Sequence, residues 1–290
     1  MSKVFLVTGS SRGLGREIVL AALDAGHRVA ATARRPEQLD DLVQRYGERV
    51  LPIALDVADA EAAERAVRAA AEAFGRLDVV VNNAGYANLA SVEDITAADF
   101  RAQLDTNFLG VVNVSKAALP VLRAQGSGHI IQVSSLGGRV ATAGLSAYQA
   151  AKWAVGGFSE VLAQEVAPLG IKVTVLEPGG MRTDWAGSSM NVPPISEPYR
   201  QTVGVLAGML GSTTVVPAGD PAKVAQVVLT VADLDEPPVR LLLGSDAVQY
   251  AQVVEQARAA EDAKWRDLSV STDHDDATAA DINPLSEAQR

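Results

Sequence analysis

Residues 4–15 read Val4-Phe5-Leu6-Val7-Thr8-Gly9-Ser10-Ser11-Arg12-Gly13-Leu14-Gly15, an apolar run that passes directly into a glycine-rich turn. The β-branched and aromatic run predicts a buried strand, and the helical periodicity that follows it predicts a helix. The glycines let the turn adopt conformations that other residues resist, and they let a phosphate approach the backbone closely. The start of the helix supplies free N–H groups and the positive end of a dipole, so this strand–turn–helix predicts a phosphate-binding site.

The same alternation of short apolar runs and helical stretches continues along the chain. Seven runs predict strands, at residues 4–8, 29–32, 50–55, 78–81, 129–133, 171–176 and 239–243. Helical periodicity predicts helices between them, at residues 14–25, 37–46, 60–74, 99–123, 147–167 and 221–232. Nearly continuous apolar strands suit a sheet that is covered on both faces. We therefore predict an α/β protein, a single Rossmann-type doubly wound domain whose seven-stranded parallel sheet is flanked by helices on both faces.

The composition narrows the possible partners. The chain has 290 residues, of which 48% are apolar and 21% charged, as is ordinary for a globular protein. Its formal charge of −10 disfavours nucleic acid and anionic membranes as partners. Cysteine is absent and the three histidines are scattered, so no metal site is predicted. No apolar run approaches the roughly 18 residues of a membrane span, and we expect a cytoplasmic protein.

Two arginines follow the second predicted strand, where an NAD site usually has a carboxylate for the ribose diol. Here Ala33 is followed by Arg34 and Arg35, and Arg12 of the glycine turn can point to the same place. Guanidinium groups match phosphate geometry and keep their charge. We therefore predict an adenosine 2′-phosphate, and hence NADP(H), with Arg12 and Arg34 as its ligands and Arg35 facing solvent.

A tyrosine and a lysine in the fifth predicted helix indicate proton-transfer chemistry. Tyr148 and Lys152 are four residues apart and therefore share one helix face. A nearby ammonium favours the phenolate and lowers the pKa of the tyrosine, as an acid–base tyrosine requires. The helix follows a strand that ends at Ser134-Ser135, and catalytic groups collect at the carboxyl ends of parallel strands.

Taken together in chain order, these motifs resemble those of the classical short-chain dehydrogenase/reductase family. The matching residues are Thr8-Gly9-x-x-x-Gly13-x-Gly15, Leu55-Asp56-Val57, Asn82-Asn83-Ala84-Gly85, Asn107, Ser135, Tyr148-x-x-x-Lys152 and Pro178-Gly179-x-x-x-Thr183. The segment 179–190 is similar to the hydroxysteroid-dehydrogenase-like branch. The resemblance implies an NADP-dependent oxidoreductase that interconverts a ketone or aldehyde and an alcohol.

The resemblance also implies a role for each matching residue. Tyr148 would be the general acid or base, Lys152 would lower its pKa and hold the nicotinamide ribose, Ser135 would bind the substrate oxygen, and Asn107 would hold a water that relays protons to Lys152. Among the implied cofactor ligands, Asp56 and Val57 would contact the adenine and Thr183 would bind the carboxamide. The other residues implied to bind the cofactor are Gly9, Ser11, Arg12, Gly13, Leu14, Gly15, Arg34, Asn83, Ala84, Gly85, Tyr148, Lys152, Pro178 and Gly179.

The sequence also indicates where the domain ends and which segments lie outside its core. We expect the domain to span residues 1–268, with a substrate lid at about 184–219, and residues 269–290 to form an acidic, disordered tail. The apolar composition around the expected pocket predicts an apolar carbonyl or alcohol substrate, and family resemblance implies a homodimer or homotetramer. Glu177 is either a polar pocket contact or solvated. The alternative functions are a catalytically silent NADP-binding regulatory protein and an epimerase or dehydratase of the extended branch.

Overall fold

The computed structural model describes residues 2–183, 190–211 and 216–282. The chain divides into two compact units, Met1–Gln249 and Tyr250–Arg290. Among the described residues, no helix combines bilayer-spanning length with sufficient apolar character.

The first unit is built on a parallel sheet. In the described part of the chain, seven strands form it: β1 (Val4–Val7), β2 (Arg28–Ala33), β3 (Val50–Ala54), β4 (Val79–Asn82), β6 (Gly128–Val133), β7 (Ile171–Pro178) and β9 (Arg240–Leu243). Their order is β3-β2-β1-β4-β6-β7-β9, and every neighbouring pair is parallel. Two short strands, β5 (Ala87–Asn88) and β8 (Met190–Asn191), pair separately. The predicted fold class is confirmed.

Ten α-helices are assigned within the described ranges. They are α1 (Gly13–Asp24), α2 (Asp40–Tyr46), α3 (Ala60–Phe74), α4 (Ala97–Leu104), α5 (Gly110–Gln125), α6 (Ser146–Val166), α7 (Val203–Gly211), α8 (Pro221–Asp233), α9 (Ser245–Val270) and α10 (Ala279–Ile282). The predicted helix 99–123 differs from the structure, because a π-helical turn at Asp105–Leu109 separates α4 from α5. A π-turn of this kind often marks a functional site.

Alternate residues of the central strand show how the sheet is buried. Phe5 and Val7 of β1 belong to one apolar cluster, which includes residues of α1, α2 and α8. Val4 and Leu6 belong to another, which includes residues of α3, α5 and α6. Because successive side chains of a strand point to opposite faces, helices cover both faces of the sheet. This double burial explains why the strands are almost continuously apolar.

Two regions contain more regular structure than the sequence analysis expected. The expected lid at 184–219 includes β8 and α7, while its residues 184–189 and 212–215 lie outside the described residues. Helix α9 ends at Val270, beyond the expected domain limit at 268, and α10 lies within the expected tail. Residues 283–290 of that tail lie outside the described residues. The domain limits and the closing of the lid stay predictions.

Candidate active site

The glycine turn between β1 and α1 lies where the strand order reverses, between β1 and its neighbours β2 and β4. Gly9 and Gly13 have positive φ angles of 69° and 55°. A Cβ atom on Gly9 would lie 2.9 Å from the Cα of Ala84, and one on Gly15 would overlap the carbonyl oxygen of Gly9. Side chains at these positions would therefore force the turn apart, which explains why glycine is needed at this close approach.

The amino terminus of α1 has the properties of an anion site. Among the described residues, no side chain caps this helix, and its first turn holds no acidic residue. Arg12, at the N-cap position, is exposed in extended backbone geometry. The first N–H groups and the positive end of the helix dipole could therefore hold a diphosphate. This is the kind of group that the residues from Ser11 to Gly15 are predicted to bind.

The predicted adenosine-binding residues follow the ends of β2 and β3. Leu55 N–H donates to the Ala33 carbonyl at 2.9 Å, which holds these two strand ends side by side. Arg34 and Asp56 are exposed here, and Asp56 Oδ1 accepts a hydrogen bond from Ala58 N–H at 3.0 Å. Val57 is instead buried and packs closely on α5, where a Cβ on Gly110 would lie 2.5 Å from its Cγ2 atom. Arg35, which was expected to face solvent, is exposed as well.

Thr8 joins the glycine turn to the segment after β4, a role that the sequence analysis did not assign. Its Oγ1 accepts hydrogen bonds from Asn83 N–H at 2.9 Å and Ala84 N–H at 3.0 Å. The Asn83 side-chain amide donates in return to the Thr8 carbonyl at 3.0 Å and to the Gly9 carbonyl at 3.3 Å. Asn83 and Ala84 are thereby held directly against the turn.

Asn107 lies in the π-turn and is completely buried. Its Oδ1 accepts from Tyr86 N–H at 3.0 Å, and its Nδ2 donates to the Tyr86 carbonyl at 2.7 Å. A Cβ on Gly85 would lie 3.0 Å from Asn107 Oδ1 and 3.7 Å from Lys152 Nζ. The structure thus brings the predicted residues Gly85, Asn107 and Lys152 together.

Ser135, Tyr148 and Lys152 meet at the carboxyl end of β6 and the first turns of α6. Lys152 Nζ lies 5.7 Å from the centroid of the Tyr148 ring and donates to the Val133 carbonyl at 2.8 Å. Tyr148 forms a hydrogen bond with Ser135, whose Oγ also accepts from Gly137 N–H at 3.0 Å. Ser134 Oγ donates to the Lys152 carbonyl at 3.1 Å, so the neighbouring serine serves the helix backbone.

Burial controls the ionisation of this group. Burial raises the pKa of the Tyr148 phenol to about 12, against a smaller lowering effect of its hydrogen bond with Ser135. Burial also lowers the pKa of the Lys152 ammonium to about 8. The direction for the pKa of Tyr148 is opposite to the one expected from the sequence, because loss of water destabilises the phenolate more than the Ser135 hydrogen bond stabilises it.

The chain bends after β7 and then approaches the glycine turn. Gly179 N–H donates to the Leu243 carbonyl at 2.9 Å, and Gly180 N–H donates to Asp246 Oδ2 at 2.8 Å. Thr183 lies beyond this bend, and a Cβ added to Gly13 would lie 3.8 Å from the Cβ of Thr183. Of the predicted residues Pro178, Gly179 and Thr183, the structure thus places Thr183 against the glycine turn.

Glu177 fits neither of the two environments expected from the sequence, because it is neither solvated nor in an open pocket. It is fully buried and pairs with Arg139 and Arg240. A charged residue at the end of an apolar strand signals a buried, paired group, because unpaired charges are costly inside proteins. The sequence carried that signal but could not identify the partners, which are 38 and 63 residues away.

The described part of the expected lid packs beside the start of α6. Leu89, Leu145 and Val203 form a buried apolar cluster. The partly buried side chains around it are those of Met190, Ile195, Tyr199, Leu206, Ala207 and Leu210. Two hydrogen bonds attach this segment to the loop after β5, from Ser196 N–H to Asp94 Oδ2 at 3.2 Å and from the Tyr199 hydroxyl to Glu93 Oε2 at 2.7 Å. The described part of the expected lid is therefore mainly apolar where it packs on Leu145.

Comparisons with known proteins agree with this geometry. The family model described as short chain dehydrogenase matches residues 3–191. The chain is 60% identical over 273 residues to oxidoreductase BOA17 of Botryotinia fuckeliana, covering 94% of this chain and all of that one. A crystal structure of a short-chain dehydrogenase from Streptomyces avermitilis is 39% identical, with a TM-score of 0.89, and the match covers 94% of this chain and all of that one. A short-chain dehydrogenase from Burkholderia cenocepacia, crystallised with NADP, is 27% identical with a TM-score of 0.72, over 91% of this chain and 97% of that one.

Proposed function

The chain belongs to the short-chain dehydrogenase/reductase family of oxidoreductases, and on that premise we propose that it is an NADP(H)-dependent enzyme that interconverts a ketone or aldehyde with an alcohol. The observation that carries the proposal is the meeting of Ser135, Tyr148 and Lys152, with Lys152 close to Gly85 in the segment that is held against the glycine turn. A phenol, a hydroxyl and an ammonium at this place suit the reduction of a carbonyl group.

In the proposed reduction, NADPH held in this cleft would supply the hydride for the carbonyl carbon. The Tyr148 phenol gives its proton to the carbonyl oxygen, and the Ser135 hydroxyl donates a hydrogen bond to the same oxygen while negative charge develops there. Lys152, whose Nζ lies 5.7 Å from the centroid of the Tyr148 ring, then supplies the proton that restores the phenol, and Asn107 is the proposed holder of the water that reprotonates Lys152. In alcohol oxidation, each proton moves in the opposite direction.

The residues around the cleft fit NADP(H). The uncapped start of α1 and the close approach allowed by Gly9 and Gly15 suit the diphosphate. The exposed guanidinium groups of Arg12 and Arg34 suit an adenosine 2′-phosphate. NADP in the Burkholderia cenocepacia structure supports the same choice for this chain. We assign Asp56 and Val57 to the adenine, Asn83, Ala84 and Gly85 to the floor beside the cofactor, and Thr183, in the segment that begins with Pro178 and Gly179, to the carboxamide.

The substrate is proposed to be an apolar small molecule. Apolar side chains of the described lid residues pack around Leu89, Leu145 and Val203. Leu145 is three residues before Tyr148 in the chain. Such a surface favours ketones with hydrocarbon substituents over small charged compounds. We further propose a homodimer or homotetramer formed through α5 and α6, and the 43% exposure of Trp153 on α6 supports a subunit contact there.

The test of function is a screen of NADPH oxidation against ketones, aldehydes and quinones, with Tyr148→Phe as the blank. Loss of a general acid should lower kcat by about 10²- to 10⁴-fold, while NADPH binding, followed by fluorescence, remains measurable. Full turnover by Tyr148→Phe would refute the acid role. Tight NADPH binding without turnover on any substrate would favour the silent regulatory alternative.

Cofactor preference has its own test, in which the variants Arg12→Ala and Arg34→Ala are compared with Arg35→Ala. The first two should raise KM for NADPH about tenfold or more and leave KM for NADH unchanged, because only NADPH carries the additional phosphate. Arg35→Ala is the matched control and should change neither value by more than about twofold. Equal kcat/KM for NADH and NADPH in the wild type would show the cofactor assignment to be wrong.

A further inference from the structure

Glu177 is the next-to-last residue of β7, and its carboxylate is completely buried. One oxygen, Oε2, accepts from Arg139 Nε at 2.7 Å. The other, Oε1, accepts from Arg240 Nε at 3.1 Å and from Arg240 Nη2. The two oxygens therefore serve two different parts of the fold, and each can be tested separately.

The Arg139 side of this pair leads to the proposed catalytic serine. Ser135 to Arg139 form one tight turn, in which Gly138 N–H donates to the Ser135 carbonyl at 2.9 Å and Arg139 N–H donates to the Leu136 carbonyl at 2.8 Å. The turn packs closely against α6, because a Cβ on Gly138 would lie 2.9 Å from the Lys152 carbonyl oxygen. Arg139 fastens the far end of the turn to β7.

The Arg240 side leads to the frame of the domain. Arg240 lies on the edge strand β9, and its Nη1 donates to Glu160 Oε1 on α6 at 3.0 Å. This contact connects the edge of the sheet to the outer half of the helix, about three turns beyond Tyr148. The hydrogen bonds of Arg240 therefore join β9 to β7 and α6, which are parts of the frame of the domain.

We propose that Glu177 is a positioning residue, whose buried carboxylate fixes the Ser135 turn at a set distance from the Pro178-Gly179 bend. Glu177 directly precedes Pro178 in the chain, so one side chain holds the loop that carries the substrate-oxygen ligand against the loop assigned to the carboxamide. The catalytic meaning of this inference rests on the proposed function. Its physical basis is that a displacement of about 1 Å between reacting groups can lower a rate about 10²-fold.

A purely structural role makes a different prediction. Buried ion pairs seldom add net stability compared with apolar side chains of similar size, but removing one partner leaves an uncompensated charge. If Glu177 only stabilised the domain, loss of Arg139 and loss of Arg240 would both act through unfolding. If Glu177 positions the turn, loss of Arg139 acts on the chemical step, whereas loss of Arg240 acts mainly on stability.

The experiment compares Arg139→Gln with the matched variant Arg240→Gln, together with Glu177→Gln and the double variant Arg139→Gln/Glu177→Gln. We expect Arg139→Gln and Glu177→Gln to lower kcat by about tenfold or more, with a larger isotope effect from deuterated NADPH and an NADPH KM within about twofold of wild type. Arg240→Gln should lower Tm and lower kcat less than Arg139→Gln does. The double variant should be no slower than the slower single variant, because one contact is lost in both cases.

Hydrogen exchange gives a readout that does not depend on turnover. Glu177→Gln and Arg139→Gln should both increase exchange at the amides of Gly137, Gly138 and Arg139 in the protein without cofactor, and Arg240→Gln should increase it mainly in β9. Unchanged exchange in the Ser135 turn, multiplicative kcat losses in the double variant, or a kcat loss in Arg240→Gln equal to that in Arg139→Gln would overturn the positioning role. An inactive wild type would refute the proposed function instead, and the catalytic meaning of Glu177 with it.

Discussion

Raising the pH should slow carbonyl reduction well before the phenol of Tyr148 ionises, because Lys152 loses its proton first. Burial lowers the pKa of Lys152 to about 8, whereas burial raises that of Tyr148 to about 12. Lys152 is therefore about 90% protonated at pH 7 and about 10% protonated at pH 9. If only the charged lysine supports proton return and cofactor binding, kcat/KM should fall about tenfold between these two values.

The assay is NADPH oxidation with a ketone substrate between pH 6 and pH 10. Since kcat/KM reports the ionisation of the free enzyme, the value for NADPH is the one to compare with the structure. Lys152→Arg is the informative variant, because a guanidinium keeps its charge over this range. Its overall rate should be lower, since an arginine cannot reproduce the 2.8 Å bond of Lys152 Nζ to the Val133 carbonyl, but the alkaline fall should disappear.

Two results would contradict this reasoning. A flat profile through pH 10 in the wild type would mean that the ammonium is not titrating near pH 8. An alkaline fall of the same size and midpoint in Lys152→Arg would assign the titration to another group. The Tm of both proteins should be followed over the same pH range, so that loss of fold is not read as loss of catalysis.

Two further predictions concern cofactor binding and stability. Gly15→Ala should weaken NADPH binding about tenfold or more, because the new methyl group would overlap the Gly9 carbonyl oxygen; Gly157→Ala, whose methyl would meet no atom within 4 Å, is the matched control and should leave binding unchanged. His129 is buried with its pKa lowered to about 4, so the unfolded chain takes up its proton first as the pH falls, and stability is lost between about pH 6.5 and pH 4. From pH 7 to pH 5 the free energy of unfolding should fall about 2 kcal/mol more in the wild type than in His129→Gln, measured by denaturant titration, and equal losses would contradict the assignment.

The sheet was predictable because its signals are local. Each strand carries its own apolar run, and right-handed crossovers restrict the ways in which parallel strands can connect. Helix α3 was predicted to the residue, since Asp59 caps its start by accepting from Ala62 N–H and Gly75 ends it with a φ of 76°. Both residues act within one turn of the helix end, and such contacts can be read from neighbouring positions in the sequence.

The departures from prediction depend on contacts between distant segments. The π-turn at Asp105–Leu109 places Asn107 against the backbone of Tyr86, 21 residues earlier. Helix α7 is apolar over most of its length, and it is buried where Val203 meets Leu89 and Leu145. In neither case does the local pattern differ from that of an ordinary helix or an ordinary loop, so the sequence could predict the residues but not their partners.

The opposite directions expected and found for the pKa of Tyr148 show what spacing alone cannot supply. A separation of four residues places Tyr148 and Lys152 on one helix face, and this was correct. It does not tell whether that face is dry, and here both side chains are buried. In a dry site the neutral phenol is favoured, and it is the form that can donate a proton to a carbonyl. At neutral pH the active site is therefore in the protonation state that reduction needs. The reverse oxidation needs a phenolate as base, so its rate maximum should lie at a higher pH than that of reduction. Coinciding maxima for the two directions would show that bound NADP⁺, rather than burial, controls the pKa of the tyrosine.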